Sequence, residues 1–375
     1  MSGIYIHVPY CKRKCHYCDF YSVEDARGMN EFANLILEEL RLRKDYLPTE
    51  PIETVYFGGG TPSLLKADRI ATMLNGIAKT FSISPLPEIT LEANPDDLNP
   101  GYIRSLLDTG INRLSLGVQS FDDNDLQQLG RRHNAKQATK AVNMASQLGF
   151  NNISIDLIYG LPYATTSVWE SNLRKAFRLP IQHLSCYHII YEEGTPLQRK
   201  VSMGRVTPVD EAVSVEQFDL LHDLASQNGF IHYEISNLGK EDYFSRHNTA
   251  YWQQIPYLGL GPSAHSYNKT SRAWNPRSVD AWINSISKGS IEVESELLSE
   301  KDKLNEYLLT SLRTIWGIDN GYIAGTFGID QANRIERVAN KYIQLEILEK
   351  RDSYYSIKPK KFIVSDGVIA DFLTE

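Results

Sequence analysis

Short runs of β-branched and aromatic residues recur along the first two thirds of the chain, each bounded by Gly, Pro or polar residues. Such runs are typical of buried strands. We predict strands at residues 3–8, 52–57, 88–92, 112–117, 152–157, 183–189 and 231–235. Between them, apolar residues recur at i, i+3 and i+4, which predicts amphipathic helices. These helices are expected at residues 31–47, 66–81, 101–109, 135–148, 167–177 and 210–225.

The alternation of strands and helices predicts an α/β fold, in which helices cover a parallel sheet. Six or seven such units favour a closed or partly open barrel over a short doubly wound sheet, although both architectures produce the same alternation. We therefore predict a partial (β/α)6-type barrel.

The alternation of strand and helix patterns ends after residue 236. We therefore predict three segments: a barrel core at 1–236, a connecting segment at 237–300 and a C-terminal domain at 301–375. The connecting segment is rich in Tyr, Asn and Gly and has no clean period. The last segment is expected to be a mainly helical, winged-helix-like domain. Its predicted elements are helices at 301–316, 320–327 and 331–346, a strand at 354–357 and a last helix from Asp366.

Composition excludes several classes of protein. The 375 residues include 39 Lys plus Arg and 46 Asp plus Glu, so the net charge of −7 argues against nucleic acid as a partner. No apolar run approaches the roughly 18 residues needed to cross a bilayer. The N-terminus lacks a basic region and a small-residue cleavage site, so we expect a cytoplasmic protein.

Three of the four cysteines, Cys11, Cys15 and Cys18, form a CxxxCxxC motif directly after the first predicted strand. Cys186 stands alone in a predicted strand and is expected to be a buried, small apolar residue. In a reducing compartment, clustered cysteines indicate a metal site or catalysis. Three thiolates on a four-iron cluster would leave one iron open to another ligand.

The surroundings of the motif suit a cluster. Basic residues at 12–14 would offset the negative charge of thiolates and sulfides, and Tyr17 and Phe20 would shield the site from water. The alternative is a structural zinc with His16 or His7 as the fourth ligand, because Cys₃His sites use similar spacings.

The cysteine motif, with an aromatic residue between its last two cysteines, resembles the signature of the radical S-adenosylmethionine (SAM) superfamily. The resemblance implies a [4Fe–4S] cluster whose open iron is chelated by SAM. The second strand ends in a Gly-rich turn that resembles the GGGTP segment of that superfamily, which implies that Gly59, Gly60 and Thr61 contact SAM. Taken alone, this turn is equally well an ordinary connection between a strand and a helix.

Polar residues near the ends of other strands resemble the SAM-binding set of one branch of the superfamily, the coproporphyrinogen-oxidase-like proteins. Taken singly, each would be a capping or surface residue. The resemblance implies that SAM is held by Tyr5, Glu92, Gln119, Arg131 and Asp156.

Two families of this branch share these motifs. Oxygen-independent coproporphyrinogen III oxidases extend the cysteine motif to CxxxCxxCxC and carry a long N-terminal segment, whereas this chain has Phe20 at the fourth position and ten residues before Cys11. The HemW-type haem chaperones have Phe or a similar residue there, together with an HNxxYW motif. That motif is present here as His247, Tyr251 and Trp252.

The hexapeptide suits a haem site, because His is a common axial ligand and aromatic rings offer flat apolar faces to a porphyrin. Against this, a single His among aromatic rings is more often packed or hydrogen-bonded than ligating. His265 is a second, weaker candidate ligand.

The resemblance implies a haem chaperone that binds haem and transfers it to acceptor proteins, respiratory enzymes among them, and that uses a SAM-ligated [4Fe–4S] cluster. Its other implied partners are a reductant for the cluster and, as one assembly, a second copy of the chain. The alternative function is oxidative decarboxylation of two propionates of coproporphyrinogen III, so enzymatic activity is left open. A third alternative is a zinc-stabilised binding module without SAM.

Overall fold

The computed structural model describes residues 1–48, 50–162 and 164–374. The strands of the parallel core and its flanks are, in chain order, β1 (Ser2–Val8), β2 (Ile52–Gly59), β3 (Ile83–Ala93), β4 (Arg113–Gln119), β5 (Ile153–Tyr159), β6 (His183–His188), β7 (Ile231–Glu234), β8 (Asn237–Gly239), β9 (Tyr257–Leu260), β10 (His265–Tyr267), β11 (Ser271–Trp274) and β12 (Glu294–Leu297). Three strands follow near the C-terminus, namely β13 (Ile318–Asp319), β14 (Leu348–Arg351) and β15 (Tyr354–Ile357).

The α-helices alternate with the strands of the first half of the chain and dominate its last quarter. They are α1 (Phe32–Leu42), α2 (Ala67–Thr80), α3 (Pro100–Asp108), α4 (Asp123–Gln128), α5 (Ala135–Gln147), α6 (Thr166–Phe177), α7 (Pro196–Ser202), α8 (Glu211–Gln227), α9 (Arg246–Trp252), α10 (Val279–Ser287), α11 (Glu300–Leu312), α12 (Asn320–Phe327), α13 (Ile329–Gln344) and α14 (Ser365–Phe372).

The first six strands form the core of the fold. They lie side by side in chain order, β1-β2-β3-β4-β5-β6, and every neighbouring pair among them is parallel. A doubly wound sheet would reverse its strand order at a switch point, whereas an unbroken order is that of a barrel. In the described part of the chain β1 and β6 are not paired with each other, so the barrel is partial, as predicted.

The two faces of this sheet differ in polarity. Along β1, Ile4, Ile6 and Val8 belong to the main hydrophobic core, whereas Tyr5 and His7 point to the other face because side chains alternate along a strand. In the same layer as Tyr5, the neighbouring strands carry Tyr56, Thr90 and Arg113. The inner face of the barrel is therefore lined by polar and aromatic side chains.

Residues 237–300 add strands to both edges of the barrel sheet. At one edge β8 pairs antiparallel with β6, and β7, which precedes this segment in the chain, pairs antiparallel with β8. At the other edge β9 pairs parallel with β1 and is extended by the antiparallel strands β10, β11 and β12. The division of the chain into segments at 236 and 300 stays a prediction.

A buried ion pair connects helix α1 to this added region. The Glu39 carboxylate accepts hydrogen bonds from the backbone N–H of Gly261 (2.8 Å), the Asn275 amide (2.6 Å) and the Trp282 indole N–H (2.8 Å), and Arg43 lies 3.6 Å from it. A charge that is fully buried is tolerated only when it is paired and hydrogen-bonded in this way.

The C-terminal region has the element order of a winged helix: α11, β13, α12, α13, β14 and β15, followed by α14. Its three strands form a separate antiparallel sheet in the order β13-β15-β14. The mainly helical, winged-helix-like prediction is confirmed, although β13 and β14 were not predicted. No helix in the described parts of the chain is both long and apolar enough to cross a membrane.

The bounds of some elements differ from the prediction. Helix α1 ends at Leu42 rather than at residue 47, and residues 43–47 form turns and bends that lead to Pro48, whose ring disfavours a helical conformation at the residue before it. Strand β3 begins at Ile83, five residues before the predicted start at 88, because Pro85 and Pro87 interrupt the alternation that marks a strand.

Candidate functional site

The three-cysteine loop lies beyond the carboxyl end of β1, where parallel barrels place their reactive groups. The Cys11 N–H donates to the Val23 carbonyl oxygen (2.9 Å), which closes the loop at its base. Cys11, Cys15 and Cys18 are free and half-buried. The loop thus presents three thiols at the mouth of the barrel.

Two of these sulfurs receive hydrogen bonds from predicted site residues in the turn after β2 and in the segment after α4. The Thr61 hydroxyl donates to Cys11 Sγ (3.4 Å), and Arg131 Nη1 donates to Cys15 Sγ (3.2 Å). Hydrogen bonds and positive charge favour a thiolate over a thiol. Thr61 and Arg131 were predicted as SAM contacts, and their contacts with the cysteines were not predicted.

The thiols interact electrostatically with one another. Burial raises the pKa of Cys18 to about 11, and the nearby Cys15 and Cys11 add to the rise. A metal centre would overcome this cost, because its positive charge stabilises thiolate ligands. Three half-buried thiols on one loop are a donor set that fits an iron–sulfur cluster.

A single zinc ion fits the site less well. Within residues 1–48, 50–162 and 164–374, no three His, Cys, Asp or Glu side chains converge on one metal position. His7 Nε2 donates to the Tyr21 carbonyl oxygen (2.8 Å) and its Nδ1 accepts from the Tyr5 hydroxyl (3.2 Å), while His16 Nδ1 donates to the Gln128 carbonyl oxygen (2.8 Å). A cluster needs no such convergence, because its cysteines bind different irons.

The residues around the cysteines do only part of what was predicted. Lys12 pairs with Asp97 (2.7 Å), and Arg13 donates to the Gly130 carbonyl oxygen (2.7 Å), so both basic side chains are held by the protein. Tyr17 packs in a small apolar cluster under the loop. The prediction that Phe20 shields the site is wrong, because its side chain is 68% exposed.

The Gly-rich turn after β2 passes very close to the end of β1. Gly59 has φ +105°, and a Cβ there would lie 2.8 Å from the His7 ring. A Cβ on Gly60 would lie 2.8 Å from the Tyr10 carbonyl oxygen. Glycine is therefore required here for close approach. The amides of Gly59 and Gly60 already donate within the protein, to Glu92 (3.2 Å) and to the Val8 carbonyl oxygen (2.7 Å).

Two carboxyl groups face the interior of the barrel. Glu92 accepts hydrogen bonds from the Tyr56 hydroxyl (2.8 Å) and from Gly59, and Asp156 accepts from the Ser115 hydroxyl (3.3 Å). Burial raises the pKa of Glu92 to about 7 and that of Asp156 to about 6. The charge of Asp156 adds to the rise at Glu92, and the positive charge of Arg113 opposes the rise at both carboxyls. Such a pair would gain from a cationic ligand.

Arg131 joins the cysteine loop to the ends of β3 and β4. Besides Cys15, its guanidinium donates to Asn94 Oδ1 (2.5 Å) and to the Gly117 carbonyl oxygen (2.6 Å). At the end of β4, Gln119 has φ +71°, an uncommon conformation for a residue with a side chain. Asn94 was missed by sequence reasoning, although its place directly after a strand was the available signal.

Tyr5 lies deeper in the barrel than the other predicted SAM residues. Its ring stacks on Tyr56 with centroids 6.1 Å apart, and burial raises its pKa. The remaining predicted residues, on the cysteine loop and the ends of β2 to β5, surround the mouth of the barrel. The structure thus brings together the predicted cluster ligands and most of the predicted SAM set.

The HNxxYW hexapeptide forms α9 at the opposite end of the barrel. The His247 ring is buried, with Nδ1 bonded to the Thr54 hydroxyl (2.7 Å) and Nε2 to the Tyr251 hydroxyl (2.7 Å). Burial, together with Arg113, lowers its pKa to about 3. Both ring nitrogens are engaged, which is the packed, hydrogen-bonded alternative considered above, so ligation of haem by His247 stays a prediction.

The other candidates near the hexapeptide lie outward from His247. The guanidinium of Arg313 lies over the Trp252 ring, 4.8 Å from its centroid, so this tryptophan faces the C-terminal region. His265 lies on the exposed side of β10, with its ring 6.2 Å from that of Trp274.

The fourth cysteine, Cys186, is 2% exposed within the main core, which confirms the prediction of a small apolar residue.

Comparison with known proteins agrees with this geometry. The model of the radical SAM superfamily matches residues 5–175. The chain is 33% identical over 318 residues to the haem chaperone HemW of Lactococcus lactis, covering 84% of this chain and 83% of that protein. It is 29% identical over 379 residues to the haem chaperone HemW of Bacillus subtilis, covering all of both chains.

Among solved structures, the coproporphyrinogen III oxidase HemN from Escherichia coli, described as a radical SAM enzyme, has a similar fold. The TM-score is 0.85 at 19% identity, over all of this chain and 90% of that one. At this identity the likeness concerns the fold alone. Taken with the sequence relatives, it shows that the chain belongs to the radical SAM superfamily and, within its coproporphyrinogen-oxidase-like branch, to the HemW-type family.

Proposed function

We propose that this protein is a haem chaperone, which binds haem and transfers it to acceptor proteins. The observation that carries the proposal is its similarity to haem chaperones named HemW, which extends over the full length of the Bacillus subtilis protein. The position of Phe20 supports the same function, since the related oxidases carry a fourth cysteine there. Haem-acceptor proteins, respiratory enzymes among them, are the proposed partners.

The cluster belongs to the same proposal, with Cys11, Cys15 and Cys18 as its ligands. Three half-buried thiols, two of them hydrogen-bonded by Thr61 and Arg131, fit an anionic iron–sulfur group. When bound, a [4Fe–4S] cluster would supply one-electron chemistry and an open iron for SAM. A reductant for this cluster is therefore a second proposed partner.

The proposed SAM site combines the residues around the mouth of the barrel. Glu92 and Asp156 would orient the cationic groups of SAM, because both carboxyls gain from positive charge. Arg131 would hold the cysteine loop against the ends of β3 and β4. The other proposed contacts are Tyr5, Gly59, Gly60, Thr61 and Gln119.

The haem site is proposed at the hexapeptide, with His247 as the axial ligand and Tyr251 and Trp252 beside the porphyrin. For this, His247 Nε2 must leave the Tyr251 hydroxyl, while the Nδ1 bond to Thr54 is retained. A retained hydrogen bond at the other ring nitrogen orients the imidazole and strengthens it as a ligand.

The decisive experiment is an anaerobic titration of the reconstituted protein with haem, followed by Soret absorbance. The same sample is assayed with coproporphyrinogen III. Tight, saturable haem binding without decarboxylated product supports the chaperone, whereas product without specific haem binding makes the protein an oxidase.

Two controls test the cluster separately. Iron and sulfide are measured after reconstitution, since a zinc module would retain neither. In the Cys15→Ala variant the charge-transfer absorbance of the cluster should be lost, and an unchanged spectrum would remove Cys15 from the ligand set. Gel filtration with and without haem tests the proposed dimer. Haem transfer is tested by mixing the haem-loaded protein with a haem-free cytochrome and following the decrease of the protein's own Soret band.

A further inference from the structure

We infer that His16, the residue directly after Cys15, is a positioning residue that holds the cysteine loop against the peptide carrying Arg131. The inference rests on the proposed cluster site, because its purpose is to set the surroundings of Cys15. It concerns a side chain for which the family motif specifies no role, since CxxxCxxC leaves this position open.

The first contact of His16 is with the peptide that follows α4. Its Nδ1 donates to the Gln128 carbonyl oxygen (2.8 Å), and its backbone N–H donates to the Leu129 carbonyl oxygen (3.0 Å). The imidazole ring covers Gly130, which has φ +75° and whose Cβ, if it had one, would lie 3.1 Å from the ring. Gly130 is thus glycine for two reasons, the backbone conformation and the His16 ring.

This peptide leads directly to Arg131. Arg131 Nη1 donates to Cys15 Sγ (3.2 Å), so residues 128–131 and residues 15–16 are cross-linked by two adjacent side chains, one from each segment. Arg13 adds a third connection through the Gly130 carbonyl oxygen (2.7 Å). Displacement of His16 would therefore weaken the bond between Arg131 and Cys15.

The second contact of His16 is with a strap, which we define as residues 190–206. The Leu197 N–H donates to the His16 carbonyl oxygen (2.9 Å). Leu197 and Val206 of the strap pack with side chains of other segments in a small apolar cluster that is separate from the main core. Its buried members are Leu129, Ile158, Leu161, Ile189, Leu197 and Val206. His16 therefore connects three segments that are far apart in sequence.

The geometry at His16 argues for positioning and against ligation. Nδ1 carries the proton that it donates to the Gln128 carbonyl oxygen, and Nε2 lies 3.1 Å from the position of a Cβ on Gly130, so both ring nitrogens face residues 128–130. A hydrogen bond to a cysteine sulfur raises the reduction potential of an iron–sulfur cluster. By holding Arg131 on Cys15, His16 acts on the potential of the cluster without touching it.

The test compares two isosteric variants. The amide nitrogen of Asn lies as far from the backbone as Nδ1 of His, whereas that of Gln lies as far as Nε2. His16→Asn should therefore keep the bond to Gln128, and His16→Gln should lose it. Gly130→Ala, which pushes against the ring from the other side, is a second disrupting variant.

The first readout uses the cluster-free protein under anaerobic, reducing conditions. Alkylation of each cysteine by iodoacetamide is followed by mass spectrometry, and the rate at Cys15 is divided by that at Cys11, a half-buried thiol of the same loop, which removes changes common to the whole loop. Iodoacetamide reacts with the thiolate, which the hydrogen bond from Arg131 favours, so loss of that bond should lower the normalised Cys15 rate about fivefold in His16→Gln and in Gly130→Ala. The rate in His16→Asn should stay near that of the wild type.

The second readout is the midpoint potential of the reconstituted cluster, which should be more negative in His16→Gln than in His16→Asn. Equal Cys15 rates in His16→Gln and wild type, or an equal slowing in both His16 variants, would overturn the inference. Because alkylation needs no cluster, a failure of the proposed cluster site leaves this readout intact and the two can be told apart.

Discussion

Glu92 makes the stability of the cofactor-free protein depend on pH. Its carboxyl lies on β3 inside the barrel, between the Tyr56 hydroxyl (2.8 Å) and the Gly59 amide (3.2 Å). Burial raises its pKa from 4.5 to about 7 despite these hydrogen bonds, and Asp156 contributes to the rise. The folded protein therefore favours the protonated, neutral carboxyl.

The sign of the effect follows from proton linkage. Below pH 4.5 both the folded and the unfolded chain hold the proton, and Glu92 contributes nothing. Between pH 4.5 and 7 the unfolded chain loses its proton first, so stability falls as the pH rises. At about 1.4 kcal/mol per pKa unit, the free energy of unfolding is lower by roughly 3 kcal/mol once the pH has passed 7. Roughly 2 kcal/mol of this decrease falls between pH 5 and pH 8.

The assay is urea unfolding of cofactor-free wild type and Glu92→Gln at pH 5 and pH 8. The variant carries a neutral amide at both values, so it should lose roughly 2 kcal/mol less than the wild type over this interval. Glu216→Gln, which replaces an exposed carboxyl on α8, is the matched control and should follow the wild type. Parallel curves for Glu92→Gln and wild type would refute the reasoning.

Three further substitutions test the hexapeptide, the α1 ion pair and the Gly-rich turn. His247→Ala removes two buried hydrogen bonds and should lower the free energy of unfolding by about 2 kcal/mol, and an unshifted Soret band in its haem complex would show that His247 is not axial. Glu39→Ala leaves the buried Arg43 without its partner and should cost about 3–5 kcal/mol in urea unfolding, whereas a loss below 1 kcal/mol would contradict the pairing. Gly59→Ala places a Cβ against His7 at φ +105° and should weaken SAM binding measured by calorimetry, with unchanged affinity as the contrary result.

The central strands could be predicted because one face of each strand packs in the hydrophobic core and the other face is covered by side chains inside the barrel. Strand β1, for example, is buried along nearly its whole length, which yields the continuous apolar run that marks a core strand. The added strands at the sheet edge gave no such signal. All four residues of β12 are exposed, and β8 has only three residues, so neither shows a hydrophobic period. Pairing with a neighbour, and not local pattern, makes these segments strands.

The mouth of the barrel could be predicted because topology alone brings the carboxyl ends of parallel strands together. Cys11, Glu92 and Gln119 each follow or end a predicted strand, so their proximity follows from strand order. The contacts among them could not be predicted. Whether Arg131 donates to Cys15 depends on the path of the peptide after α4, and that path depends on Gly130 and the His16 ring.

The place of the hexapeptide was also beyond the reach of sequence reasoning, and it has a functional consequence. Strand β9 pairs parallel with β1, and the preceding α9 is therefore carried to the amino end of the barrel, where the His247 ring lies 3.4 Å from the position that a Cβ on Gly3 would occupy. The cysteines follow Val8, at the other end of the same strand. At about 3.3 Å per residue, the five steps from Gly3 to Val8 span roughly 17 Å. Haem on His247 and a cluster on the cysteine loop would therefore not touch. The rings of Tyr5, Tyr56 and His247 contact one another, with centroids 5.0–6.4 Å apart. Tyr56 contacts both regions, because its ring stacks on His247 and its hydroxyl donates to Glu92. Tyr56→Phe, which keeps the ring and removes the hydroxyl, should therefore change the effect of cluster loading on haem affinity in a Soret titration while leaving the iron content after reconstitution unchanged, and an unchanged effect would show that this contact does not couple the two sites.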